Sequence, residues 1–179
     1  MQESILKELA EKLKDTNWFL IAGFAIEVYT NGLRKANDID IVLQGSDIDL
    51  FAERLGTRAE KRLIDKKTFI VDDYGFVTSL NGQEIEATNG FPKKRVVEKT
   101  FDKLFAKRVR KPYLGTELFL APLEEIIVSK AAMRRPKDIE DLKLLKNEKI
   151  DKRFLAELAK DWGEEASIFE VLRKAEYKV

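Results

Sequence analysis

The 179-residue chain contains neither cysteine nor histidine. Without cysteine there are no disulfides and no thiol nucleophiles. Without either residue there are no Cys/His zinc sites and no Ser-His-Asp or Cys-His arrangements. Any general base must then be a carboxylate or a lysine, and any metal a hard cation held by oxygen. Neither sign of charge dominates: 33 Lys and Arg face 32 Asp and Glu, so bulk charge selects no polyanionic partner. No apolar run is long enough to cross a bilayer. The N-terminus alternates charge through Glu3, Lys7, Glu8, Glu11 and Lys12, as a soluble helix does and a signal peptide does not. The expectation is a cytoplasmic protein without membrane contact. A charged fraction of 36% fits a heat-adapted source.

What is present concentrates between Gly23 and Asp40, which runs on into Ile41-Val42-Leu43. A glycine ends one apolar run, an amphipathic stretch follows, and Asp38 and Asp40 head a second apolar run. Side chains alternate along a strand, so these two carboxylates share a face, about 6.6–6.8 Å apart along the backbone. Paired carboxylates on one face are a way to hold hard cations for phosphoryl chemistry.

The apolar spacing of Ile5, Leu6, Leu9 and Leu13 predicts a first helix ending near Asp15-Thr16-Asn17. Trp18 to Ala22 reads as a buried strand, Gly23 opens a helix that stops at Asn31-Gly32, and Asp38 to Gln44 is the next strand. Ser46 is expected to N-cap a helix running to Gly56, which assigns Asp47 and Asp49 to its first turn rather than to a metal. Short strands follow at Arg62–Ile64, Thr68–Val71, Phe76–Leu80 and Glu84–Ala87. Turns are expected at Asp72-Asp73-Tyr74-Gly75 and Asn81-Gly82. After a strand at Glu117–Leu120 the chain reads as helices: Pro122–Met133, Pro136–Lys146, Lys152–Asp161 and Glu164–Tyr177, two of them opened by proline. The expected class is α/β (α+β): a small mixed sheet flanked by helices, with a helical C-terminal tail. The organisation is a single domain over residues 1–179, with the sheet core in about 1–120 and the helical part in about 121–179.

Asp38 and Asp40 gain a third partner from the hairpin arm Glu84-Ile85-Glu86, most simply Glu86, with Glu84 as the alternative. Three crowded carboxylates repel one another unless cations neutralise them, so such a cluster implies metal. Gly23, opening a helix, offers a side-chain-free N-terminus to a triphosphate.

Ala22-Gly23-Phe24-Ala25, then Gly32-Leu33-Arg34 and Asp38-Ile39-Asp40, resemble the nucleotidyltransferase fold of the DNA polymerase β superfamily. The likeness is to small prokaryotic members, the abortive-infection toxins and antibiotic nucleotidyltransferases. The run Leu123 to Lys130 followed by Arg135-Pro136-Lys137-Asp138-Ile139-Glu140-Asp141-Leu142 resembles their segment after the catalytic core. The resemblance implies a metal-dependent transfer of a nucleoside monophosphate from an NTP to a hydroxyl. Asp38, Asp40 and Glu86 would be the catalytic and Mg²⁺-binding residues, for one or two ions. Gly23, Phe24, Arg34 and Lys130 would bind the nucleotide. The acceptor stays open among small molecule, protein and tRNA. Ala22 stands where the family usually has its first glycine, and Ala36 where it often has threonine. The alternative is a non-catalytic nucleotidyltransferase-like module, such as a toxin–antitoxin component recognising protein or RNA.

Lys130 lies on the apolar stripe of Leu123, Ile126, Ile127 and Ala131, where a lysine is out of place. Either its ammonium reaches phosphate or it pairs with Asp138 or Asp141 of the next helix. The basic block Lys93–Lys111, interleaved with Phe91, Phe101, Phe105 and Tyr113, has the composition of an RNA contact. Its competing reading, preferred because net charge is near zero, is a solvated face whose aromatics belong to the core.

Overall fold

A computed structural model describes residues 2–66, 69–89 and 98–179. Helix α1 (Gln2–Lys12) buries Ile5, Leu6 and Leu9 on one face and gives way to a turn in which Asp15 takes a left-handed φ of 60°. Strand β1 (Trp18–Ile21) runs into α2 (Ala22–Tyr29), which ends at Asn31 and Gly32, both at positive φ. Strand β2 (Asp38–Leu43) is followed by α3 (Asp47–Arg54). Ser46 occupies the N-cap position of α3, but its side chain makes no capping bond. Asp47 instead accepts the backbone N–H of Asn17 at 2.7 Å, and Asp49 accepts the Tyr74 hydroxyl at 2.6 Å. Asp47 and Asp49 lie in the first turn of α3 as expected, whereas the expected serine cap does not form.

Strands β3 (Glu60–Lys66), β4 (Phe69–Leu80) and β5 (Gln83–Thr88) form an antiparallel meander. The Asn81-Gly82 turn is present, with φ of 51° and 82° as a tight hairpin requires. The turn expected at Asp72-Asp73-Tyr74-Gly75 is not. Those residues lie inside β4, with Gly75 opposite Glu60 on one side and Thr88 on the other. Gly75 serves close packing instead of reversal: a Cβ there would lie 2.3 Å from the Ala87 carbonyl oxygen. Thr68, the expected start of that strand, lies outside the described residues.

Next come α4 (Glu98–Lys107), β6 (Val109–Tyr113) and β7 (Thr116–Leu120), and then the helices α5 (Leu123–Met133), α6 (Pro136–Leu145), α7 (Lys152–Asp161) and α8 (Glu165–Lys174). Among the described residues the strands make one seven-stranded sheet, ordered β3-β4-β5-β2-β1-β7-β6. It is mixed: β2–β5 and β1–β7 are parallel and the other pairs antiparallel. One apolar core joins the sheet to both helical regions, from Ile5 through Phe19, Ile41 and Leu120 to Leu158 and Leu172. Among the described residues no helix is long and apolar enough to cross a membrane.

Candidate functional site

In β2 the even positions Asp38 and Asp40 are half-buried, while Ile39 and Ile41 on the opposite face belong to the core. The parallel register with β5 sets Asp38 beside Glu84 and Asp40 beside Glu86. Registered partners on neighbouring strands share a face at about 4.8 Å spacing, so all four carboxylates start from one side of the sheet. Glu84 is exposed and Glu86 half-buried, which makes Glu86 the better partner for Asp40. The Glu86 side chain is also engaged, with Oε1 accepting from Arg62 Nη2 at 3.3 Å. Gly75 makes room for that arginine, since a Cβ there would come within 2.8 Å of Nη2. Among the described residues no three acidic side chains are gathered closely enough to hold an ion. The backbone register therefore brings Asp38, Asp40 and Glu86 together on one face without converging their carboxylates.

The β1–α2 turn is the second part of the site, because Ile21 at the end of β1 is registered with Asp40. Ala22 adopts φ 52°, a left-handed conformation that a side chain makes unfavourable and glycine does not. The space over Gly23 is taken by the chain itself. Arg34 Nη1 donates to the Gly23 carbonyl at 3.3 Å, and a Cβ on Gly23 would meet the same nitrogen at 2.9 Å. The Phe24 side chain is 2% exposed and packs edge-on against Tyr113. A role for Phe24 at a nucleotide is thereby confined to its backbone.

The loop from α2 to Asp38 is fixed by the fully buried Glu27. Its Oε1 accepts from Gln2, Lys35 and Tyr113 at 2.8–3.0 Å, and Oε2 accepts the Ala36 backbone N–H at 2.8 Å. Burial alone would raise this carboxyl, but the four donors more than offset it, and the group sits below its ordinary range. Glu27 went unnoticed at the level of sequence, although its place on the apolar face of α2 was a cue of the same kind as Lys130.

The third part lies at the α5–α6 turn. Lys130 is 4% exposed, and its ammonium pairs with Asp138 Oδ1 at 2.9 Å and Asp141 Oδ2 at 2.8 Å. Of the two readings of Lys130, its contacts are those of the ion pair, and with both carboxylates at once. Asp141 Oδ1 in turn accepts Arg34 Nε at 2.6 Å. Asp138 caps α6 by accepting the Arg135 backbone N–H, and it also accepts the Arg135 side chain at 2.7 and 3.0 Å. Burial works against the Asp138 charge, yet the bonds from Arg135 and Lys130 hold its carboxyl below its ordinary value. The guanidinium of Arg135 is raised by its bond to Asp138 and further by the charges of Asp138, Asp141 and Asp40. This last coupling ties the α5–α6 turn electrostatically to the candidate carboxylates.

Within the basic block, Phe91, Lys93, Lys94 and Arg95 lie outside the described residues. The basic side chains from Lys103 to Lys111 are engaged within the chain. Lys103 pairs with Glu157, Arg110 with Glu117, and Lys107 with Asp151 and the Phe154 ring. Arg108 lies over Phe119, while Lys111 donates to the Tyr29 carbonyl at 2.9 Å. Phe105 and Tyr113 are core residues, and Phe101 packs against the core. RNA contact finds no support in these residues.

No protein-family model matches the chain, and no curated protein matches it in sequence. Solved structures do resemble it in fold. The antibiotic-resistance factor ANT(2'')-Ia in solution aligns at 15% identity and a TM-score of 0.56, covering 97% of each chain. The same factor in complex with adenylyl-2''-tobramycin gives a TM-score of 0.60, covering 92% of this chain and 98% of that one. A candidate nucleotidyltransferase from Thermotoga maritima gives 0.55 at 15% identity, over 82% and 92%. The chain thus has a nucleotidyltransferase-like fold.

Proposed function

We propose that the chain is a metal-dependent nucleotidyltransferase that moves a nucleoside monophosphate from an NTP to a hydroxyl acceptor. The observation that carries this reading is the registered pair Asp40–Glu86, with Asp38 on the same face and the β1–α2 turn on the adjoining strand. The donor set suits Mg²⁺, being oxygen only, anionic and half-buried. Asp38, Asp40 and Glu86 would hold the ion, whose chemistry is to lower the pKa of a hydroxyl and to neutralise phosphate charge. Arg62 donates to Glu86 Oε1 at 3.3 Å and so offsets repulsion among the neighbouring carboxylates. Glu86 would then favour deprotonation of the acceptor, and Arg34 would steady the turn through the Gly23 carbonyl. That a structural neighbour was solved in complex with adenylyl-2''-tobramycin supports a small-molecule acceptor.

A second reading, a non-catalytic module of the same fold, is favoured by the guanidinium over Gly23 and by the strained Ala22. The test is incubation with Mg²⁺, each labelled NTP and a cell extract. Label should pass to one acceptor with the wild-type chain and not with the Asp38→Asn/Asp40→Asn variant. Equal labelling with both would refute transfer at this site.

A further inference from the structure

The α5–α6 cluster holds more positive charge than its buried carboxylates consume. Arg34, Lys130 and Arg135 stand against Asp138 and Asp141, three charges against two. The positive charge is also layered by depth. Lys130 is the hub, its side chain 5% exposed and its ammonium lying between two carboxylates. The Arg135 side chain is 44% exposed. Asp138 holds Arg135 by Nε and Nη2, leaving Nη1 without an acceptor among the described residues. One edge of a planar, permanently charged fork is thus locked and the other left open, the preparation that phosphate recognition uses. Arg34 ties this cluster to the candidate site by geometry, with Nε on Asp141 at 2.6 Å and Nη1 on the Gly23 carbonyl of the β1–α2 turn at 3.3 Å. A polyphosphate beside Asp40 needs fixed positive charge in addition to any metal, and Lys130 is too deeply enclosed to provide it directly.

We infer that Arg135 is a phosphate-binding residue for the nucleotide triphosphate and that Lys130, acting through Asp138, is a positioning residue rather than a phosphate ligand. The inference rests on the nucleotidyltransferase reading and names the groups that receive the triphosphate. It also moves the ammonium that the sequence resemblance placed at the phosphates one layer inward.

The experiment uses the full chain and calorimetry with Mg²⁺-tripolyphosphate, the four Mg²⁺-NTPs and the four unphosphorylated nucleosides. Arg135→Gln should weaken tripolyphosphate and NTP binding by roughly tenfold or more, the size of a lost charge-assisted bond. Nucleoside binding should hold, and the melting temperature should fall less than in Lys130→Met, because Asp138 loses two side-chain bonds but keeps Lys130 and the Arg135 backbone N–H as partners. Arg135→Lys should recover part of the affinity, which a purely structural role would not require. Lys130→Met should lower both the melting temperature and polyphosphate affinity. Unchanged tripolyphosphate affinity in Arg135→Gln, with wild-type binding intact, would overturn the inference and leave the parent reading standing. Wild-type protein that binds none of these polyphosphates would refute the parent reading and the inference with it.

Discussion

Replacing Glu125 by glutamine removes an ionisable group from the driest part of the helical layer. Glu125 is 2% exposed on α5, and its Oε2 has no hydrogen-bond partner among the described residues. The indole N–H of Trp162 faces it without closing a bond and offsets only part of the burial, which pushes the carboxyl from 4.5 to about 8. The folded pKa is therefore above the unfolded one. Its contribution to stability is intact below pH 4.5 and lost progressively as pH rises towards 8. At about 1.4 kcal/mol per pH unit, the loss reaches about 3 kcal/mol at pH 7 and levels off near 5 kcal/mol above pH 8. Glutamine has nearly the same shape and does not titrate. Urea unfolding of both proteins from pH 4.5 to 8.5 should therefore show the variant gaining on the wild type by about 3 kcal/mol between the acid end and pH 7. A stability difference that stays flat over this range would show that Glu125 ionises normally and that water or a partner reaches it.

Other substitutions test separate parts of the structure. Ala22→Gly should stabilise by about 0.5–1 kcal/mol, because relief of the left-handed alanine exceeds the added freedom of the unfolded chain; an unchanged or lowered melting temperature would contradict the φ of this residue. Gly75→Ala should cost about 1–3 kcal/mol in urea unfolding, since its Cβ would meet the Ala87 carbonyl at 2.3 Å. Ser46→Ala should be neutral to within about 0.5 kcal/mol, because no capping bond is lost. Lys130→Met removes the ammonium shared by two buried carboxylates, leaving Asp138 to Arg135 and Asp141 to Arg34, and should destabilise by about 3–5 kcal/mol, checked by thermal and urea melts.

Much of the site was legible because it depends on short-range rules. The two-residue strand period alone places Asp38 and Asp40 on one face, and Asn81-Gly82 dictates the hairpin that returns Glu86 to the sheet. A lysine on an apolar stripe marked Lys130 as unusual but left phosphate contact and ion pairing open, and only the structure shows that Asp138 and Asp141 share it. The misreadings come from residues whose role is set at a distance. Asp72-Asp73-Tyr74-Gly75 has turn composition, but Gly75 is there because the Ala87 backbone and Arg62 crowd it, which only the three-strand register reveals. Arg62 reaches Glu86 across an intervening strand and leaves no local pattern. Helix α4 did carry a pattern, Phe101, Leu104 and Phe105 at helical spacing, which the density of lysine and arginine around it obscured. Ser46 satisfied the composition rule for a cap while the backbone N–H of Asn17 drew in the neighbouring Asp47 instead.

Calorimetry can decide whether Asp38 and Asp40 build the proposed metal-dependent nucleotide site. Each NTP is titrated into the wild-type chain with Mg²⁺ and with EDTA, and then into Asp38→Asn/Asp40→Asn. At least one NTP should bind saturably, and that binding should require Mg²⁺. That binding should fall at least tenfold in the variant, while its urea unfolding stays a single cooperative transition. Binding that is indifferent to Mg²⁺ and to both substitutions, or no binding of any NTP, would contradict the proposed site.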